Sequence, residues 1–109
     1  MAFLLKPTGE IVPITPANGA AFTLAELQGF VGGYIEIVRA PPLNGQPFRY
    51  VINEDGKRLN LPDNALATLG YWYAGGSVAD WIVGNVVAAT FEELGEHDDK
   101  DDDDDDETA

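Results

Sequence analysis

The residues best placed for chemistry in this sequence are polar side chains at the ends of predicted helices and strands. Asn53, Asn64, Asp80 and Asn85 each lie where a predicted element meets a loop. Backbone amides are unpaired at such ends and loops can converge there, so these groups suit hydrogen-bond recognition of a ligand or partner. The same residue types are also ordinary caps and turn formers. Recognition requires them to meet on one face beside three further candidates, Tyr34, Glu36 and Trp81.

Few residues could carry catalysis or hold a metal. Ser77 and His97 are the only serine and histidine, so a catalytic triad would need a base from the acidic C-terminal segment. The absence of cysteine excludes disulfides, thiol nucleophiles and cysteine-based zinc sites. Residues 101–106 lack the glycine and distal glutamate of a calcium loop. We therefore expect a protein that is not an enzyme and has no cofactor or metal.

A cluster of aromatic residues has two interpretations. Tyr71, Trp72, Tyr73 and Trp81 crowd a short stretch of a small protein. They are either mostly buried in the core, or they form an exposed patch that serves as an interface, because Trp and Tyr concentrate binding energy in protein–protein contacts.

The clearest structural pattern lies in residues 22–38. Thr23 and Glu26 have the spacing of a capping box, which predicts a helix start, and Leu24, Leu27 and Val31 predict one buried helical face. The two glycines at 32–33 end the helix, and from residue 34 the period changes from 3.6 to 2, which predicts a strand.

The remaining segments predict short strands and a second helix. Residues 2–6 and 11–15 indicate a hairpin, residues 48–53 and 58–61 two further strands, residues 65–73 a helix, and residues 81–91 the last strand. A single helical turn at 77–80 is compatible with the serine and aspartate spacing there. The pattern predicts an α+β fold: a curved antiparallel sheet with two main helices packed on it.

Charge divides the chain into a folded body and a tail. The net charge is −13, but residues 1–91 hold seven acidic and five basic residues, a net charge of only −2. We expect one domain at residues 1–92 and an acidic disordered tail at 93–109, because like charges without apolar residues cannot offset the entropy of ordering. No apolar stretch approaches the roughly 20 residues of a membrane span, and we place the protein in the cytoplasm.

Several segments together resemble a family of small proteins from bacteriophages, plasmids and some bacteria, known only as a domain of unknown function. The matching segments are residues 22–28, 31–38, 51–57, 61–64 with 67–68, and 80–87. The resemblance implies an accessory protein of a mobile element with a non-enzymatic role. The acidic tail lies outside the matching segments.

The expected function is therefore binding of a host protein, inhibitory or counter-defensive, with a homodimer as a further expectation. We expect no direct binding to nucleic acid or membrane. Two alternatives stay open: a small-ligand or nucleotide-binding module that uses the polar candidates, and a DNA mimic that acts through the acidic tail.

Overall fold

The fold is described by a computed structural model that covers residues 1–95 and 97. Its elements in chain order are β1 (Ala2–Leu5), β2 (Ile11–Ile14), α1 (Leu24–Val31), β3 (Ile35–Arg39), β4 (Phe48–Asn53), α2 (Ala65–Tyr73), β5 (Val86–Thr90) and α3 (Phe91–Leu94). The five strands form one open sheet in the order β2-β1-β5-β4-β3, with every neighbouring pair antiparallel. The predicted α+β class, an antiparallel sheet with helices packed on it, is confirmed.

Hydrophobic residues cover both faces of this sheet. Side chains alternate along each strand, so Val51 faces the core that includes α1 and α3, whereas Tyr50 faces the core that includes α2. Strand β5 lies at the centre and all five of its residues are buried. Its sequence of small and β-branched residues suits a strand that is covered on both faces.

Helix α1 begins as the sequence predicts. The Thr23 hydroxyl accepts a hydrogen bond from the Glu26 amide at 3.1 Å, and the Glu26 carboxylate accepts one from the Thr23 amide at 2.8 Å. Gly32 ends the helix with φ of +85°, a left-handed conformation that glycine adopts without a Cβ clash. Leu24 departs from the prediction because its side chain is exposed, and only Leu27 and Val31 of the expected face are buried.

Three segments differ from the predicted pattern. Residues 58–61 do not form a strand: residues 54–60 form successive turns, in which the Leu61 amide donates to the Gly56 carbonyl. Residues 78–79 form a non-helical turn, whereas the sequence predicted a single helical turn at 77–80. The last strand is shorter than the predicted 81–91, because residues 81–85 cross the end of the sheet as a loop with one bridge, between Asp63 and Val83.

The folded body extends beyond residue 92. Thr90 and Glu93 form a second capping box, which begins α3, and the side chain of Leu94 is fully buried in the α1 core. The boundary placed at residue 92 therefore falls inside α3. The tail that the sequence predicts to be disordered lies mostly outside the described residues, at 96 and 98–109.

Candidate functional site

Two of the predicted site residues hold the end of α1. The Asn53 side-chain amide donates to the Val31 carbonyl at 3.1 Å, and its oxygen accepts from the Asp55 amide at 2.8 Å. Asn85 donates to the Phe30 carbonyl at 3.2 Å. The last carbonyls of a helix lack partners within the helix, so these two side chains satisfy groups that the fold would otherwise leave unpaired.

Asn64 also forms structural hydrogen bonds. Its side-chain oxygen accepts from the Ala67 amide and caps α2, and its nitrogen donates to the carbonyls of Leu5 and Gly84 at 3.0 and 2.9 Å. Only 1 % of the residue is exposed. One buried amide thus joins α2 to β1 and to the loop before β5.

The structure brings three other predicted residues together in a cleft. Glu36 projects from β3 toward the α2 side of the sheet, and Asp80 and Trp81 lie on the loop opposite it. The cleft has a volume of about 220 Å³, and Asn53 also lines it. Asn64, Asn85 and Tyr34 do not line it. Of the seven candidates, four thus line one cleft, namely Glu36, Asn53, Asp80 and Trp81, and the Asn53 side chain is also hydrogen-bonded to the backbone.

Lys57 completes this cleft, although it was not among the candidate site residues predicted from the sequence. Its ammonium group donates to the Asp80 carboxylate and lies 4.2 Å from the centroid of the Trp81 ring. The two contacts join residues that are more than 20 positions apart. No pattern in the sequence indicates that proximity, and the single available signal was a basic residue in a loop beside acidic ones.

Four carboxylates line the cleft, those of Glu36, Glu54, Asp55 and Asp80, and the pKa values of Asp80 and Glu36 are shifted in opposite directions. The hydrogen bond from Lys57 holds the pKa of Asp80 below its ordinary value, and the Trp81 amide, 2.8 Å from the same carboxylate oxygen, acts in the same direction. The pKa of Glu36 is raised, first by desolvation against the cleft wall and then by the charges of Glu54 and Asp80. The Glu36 carboxylate forms no hydrogen bond or ion pair with any other described side chain, although the Glu36 backbone pairs with Ile52 in the sheet.

An exposed apolar surface adjoins the cleft. We call this surface the α2 face; it consists of large side chains that are each 36–82 % exposed, namely Leu66, Leu69, Trp72, Tyr73 and Trp81. The Trp72 indole donates to the Asp80 carbonyl at 2.8 Å, which fixes α2 against the cleft loop. Of the two interpretations of the aromatic cluster, the structure supports the exposed patch, because only Tyr71 packs against the core.

Tyr34 lies elsewhere on the surface. It is 68 % exposed and borders an open depression of about 450 Å³ beside Gly33 and Leu59. It therefore provides an exposed tyrosine that belongs to neither the cleft nor the α2 face.

Within residues 1–95 and 97, no three His, Asp or Glu side chains are grouped so that they could hold a metal ion. Across the same part of the chain, no helix has the length and apolar character needed to cross a membrane.

The family comparison agrees with the resemblance seen in the sequence. The model of a domain of unknown function, DUF3846, matches residues 1–106, which include acidic positions beyond the segments that carried the resemblance. No curated protein and no solved structure matches the chain. Because the match spans nearly the whole sequence, the chain belongs to the DUF3846 family.

Proposed function

We propose that this protein is a non-enzymatic accessory protein of a phage or other mobile element, and that it binds a host protein through the α2 face. The observation that carries the proposal is the exposure of large apolar side chains on an uncharged segment. Residues 64–79 contain no charged residue, in a chain in which 23 % of residues are charged. Leu69 and Tyr73 are 59 and 82 % exposed.

Contiguous exposed apolar surface is costly in water and is typical of sites for protein partners. Trp and Tyr are the side chains that most often dominate the energy of such contacts. The α2 face also has a rigid base, because Trp72 is hydrogen-bonded to the cleft loop and Asn64 caps the helix. A rigid surface loses less conformational entropy on binding.

The amide side chains count against the small-ligand alternative, which relied on them for recognition. Asn53, Asn64 and Asn85 donate to backbone carbonyls, so their donors are already engaged. The small-ligand alternative retains the cleft, but about 220 Å³ is below the roughly 300–1,000 Å³ of a usual ligand pocket. The DNA-mimic alternative concerns a tail outside the described residues.

Affinity capture from host lysate tests the proposal with a matched pair of variants. Tyr73→Glu places a charge on the α2 face, and Tyr34→Glu places the same charge on an exposed tyrosine elsewhere. We expect Tyr73→Glu to lose the captured partner and Tyr34→Glu to retain it, with both variants melting near the wild-type temperature. Equal retention by the two variants would contradict the proposal.

A further inference from the structure

Trp81 joins two surfaces of different chemistry. Together with Leu69 and Trp72 it borders the apolar groove on α2, and together with Glu36 and Asp80 it borders the charged cleft. A partner segment that covers the α2 face therefore passes beside a cleft lined by four carboxylates and two basic side chains, of which Arg58 is paired with Asp55.

The cleft is already suited to a cation, because Lys57 occupies part of it. Its ammonium group contacts a carboxylate on Asp80 and an aromatic face on Trp81, the two kinds of group that bind ammonium and guanidinium ions in proteins. Both members of the ion pair are more than 40 % exposed. Exposed ion pairs of this kind contribute little to stability, so displacement of Lys57 costs the fold little.

Glu36 leaves a negative charge in the cleft without an ion-pair partner among the described residues. Its carboxylate is partly desolvated, which favours the approach of a second cation. The cleft volume of about 220 Å³ suits one long side chain and not a nucleotide.

We propose that the cleft receives a lysine or arginine side chain of the partner protein, which displaces Lys57 from Asp80 and Trp81 while apolar residues of the same partner cover the α2 face. This inference rests on the function proposed above and states the chemistry of the partner. The chain's charge favours the same kind of partner, because the net −2 of residues 1–91 and the larger negative charge of the C-terminal segment both attract a basic segment.

The test uses n-butylammonium as a probe for the lysine head group and n-butanol as its uncharged counterpart. Each is titrated into the full-length protein while the NMR signal of the Trp81 indole N–H is followed. We expect a saturable shift with n-butylammonium and none with n-butanol. In Lys57→Met the site is vacant, and n-butylammonium should bind about tenfold more tightly than in the wild type. Asp80→Asn in the Lys57→Met background should abolish the saturable shift.

Equal shifts from the two probes, or no saturable shift in Lys57→Met, would overturn the inference. Lys57→Gln provides a second vacant site that keeps a polar side chain, in case Lys57→Met lowers the melting temperature. If n-butylammonium fails to bind while capture of the host protein still depends on Tyr73, the cation site is refuted and the proposed function is not. If capture is indifferent to Tyr73 while n-butylammonium binds, the proposed function falls and the cation site stands.

Discussion

Individual polar residues divide into those that hold the fold and those that remain available for recognition. The three asparagines at element ends donate to backbone carbonyls, whereas Glu36 has no ion-pair partner among the described residues. A side chain whose donors are already engaged gains little by turning toward a ligand. Structural and available polar residues both lie at element ends, so position in the sequence does not distinguish them.

Asn64→Ala should destabilise the protein more than an ordinary cap variant. It removes the cap of α2 and leaves the Leu5 and Gly84 carbonyls without their buried donor, for an expected loss of about 3 kcal/mol. Thr23→Ala removes only an exposed cap and should cost about 1 kcal/mol. Urea unfolding measures both losses, and equal losses would contradict the role assigned to Asn64.

Glu93 should make stability fall in acid. Burial acts to raise its pKa, but hydrogen bonds from the Thr90 amide, the Met1 ammonium and the Thr90 hydroxyl together hold the pKa below the ordinary 4.5. A carboxyl whose pKa is lower in the folded chain stabilises the fold above the unfolded pKa, and this stabilisation is lost as pH falls through the folded value. We expect the free energy of unfolding to decrease below about pH 4.5, and to decrease less steeply in Glu93→Gln. Parallel curves for the two proteins would refute this.

The contribution of Glu36 to stability changes with pH in the opposite direction to that of Glu93. Because its pKa is raised in the folded chain, its contribution to stability is fully present below pH 4.5 and is lost as pH rises through the folded pKa. Glu36→Gln should therefore be more stable than the wild type at pH 7, with no such gain in acid. A variant less stable than the wild type at pH 7 would show that the carboxylate stabilises the fold.

At the scale of elements, the two main helices differ in how closely their interior glycines approach other residues. Both contain one interior glycine, Gly29 in α1 and Gly70 in α2. A Cβ at Gly29 would meet no atom within 4 Å, but a Cβ at Gly70 would collide with the Tyr50 hydroxyl. Helix α2 thus approaches the sheet so closely that only glycine fits at that position.

Alanine at these two glycines should have opposite effects. Gly29→Ala should stabilise the protein by about 0.5–1 kcal/mol, because alanine loses less backbone entropy in a helix. Gly70→Ala should destabilise it by about 1–3 kcal/mol despite the same gain in propensity, because the core has no room. Thermal and urea unfolding measure both, and stabilisation by Gly70→Ala would show that Tyr50 can move aside.

Helix α3 closes the core, so the position of a truncation matters. A chain that ends at residue 92 loses Leu94 and the hydrogen bond from the Phe22 amide to the Glu93 carbonyl, and should lose about 2–5 kcal/mol of stability. A chain that ends at residue 97 should be as stable as the whole protein, because residues 98–109 are all polar or charged except Ala109 and have little apolar surface to bury. Equal stability of the two truncated chains would contradict the role of α3.

For the whole molecule, an uncharged face on a chain of charge −13 predicts self-association that depends on salt. The α2 face and the edges of β2 and β3 are surfaces on which two copies can meet, and the shared negative charge keeps the copies apart. We expect a larger mass by light scattering as salt screens this repulsion, and a monomer for Tyr73→Glu. A monomer at every salt concentration would count against the homodimer.

The sequence by itself determined the features that local physics controls. The capping box of α1, the glycine at its end and the alternation of the strands follow from hydrogen bonds and periodicities within a few residues. The same reasoning could have found α3, because Thr90 and Glu93 repeat the spacing of Thr23 and Glu26. The prediction missed α3 because it extended the last strand to residue 91, where α3 begins.

Tertiary structure decided what depends on neighbours far away in the chain. Residues 58–61 have the composition of a strand, but β3 and β5 already pair with both edges of β4. The segment therefore forms no hairpin with β4, and its Leu61 amide instead donates to the Gly56 carbonyl. The apolar stripe of α2 points outward because its small residues, Ala67 and Gly70, are the ones that allow close approach to the sheet. The cleft likewise exists only because the loop before β5 crosses the end of the sheet and brings Asp80 and Trp81 to Lys57, a proximity set by packing and not by spacing.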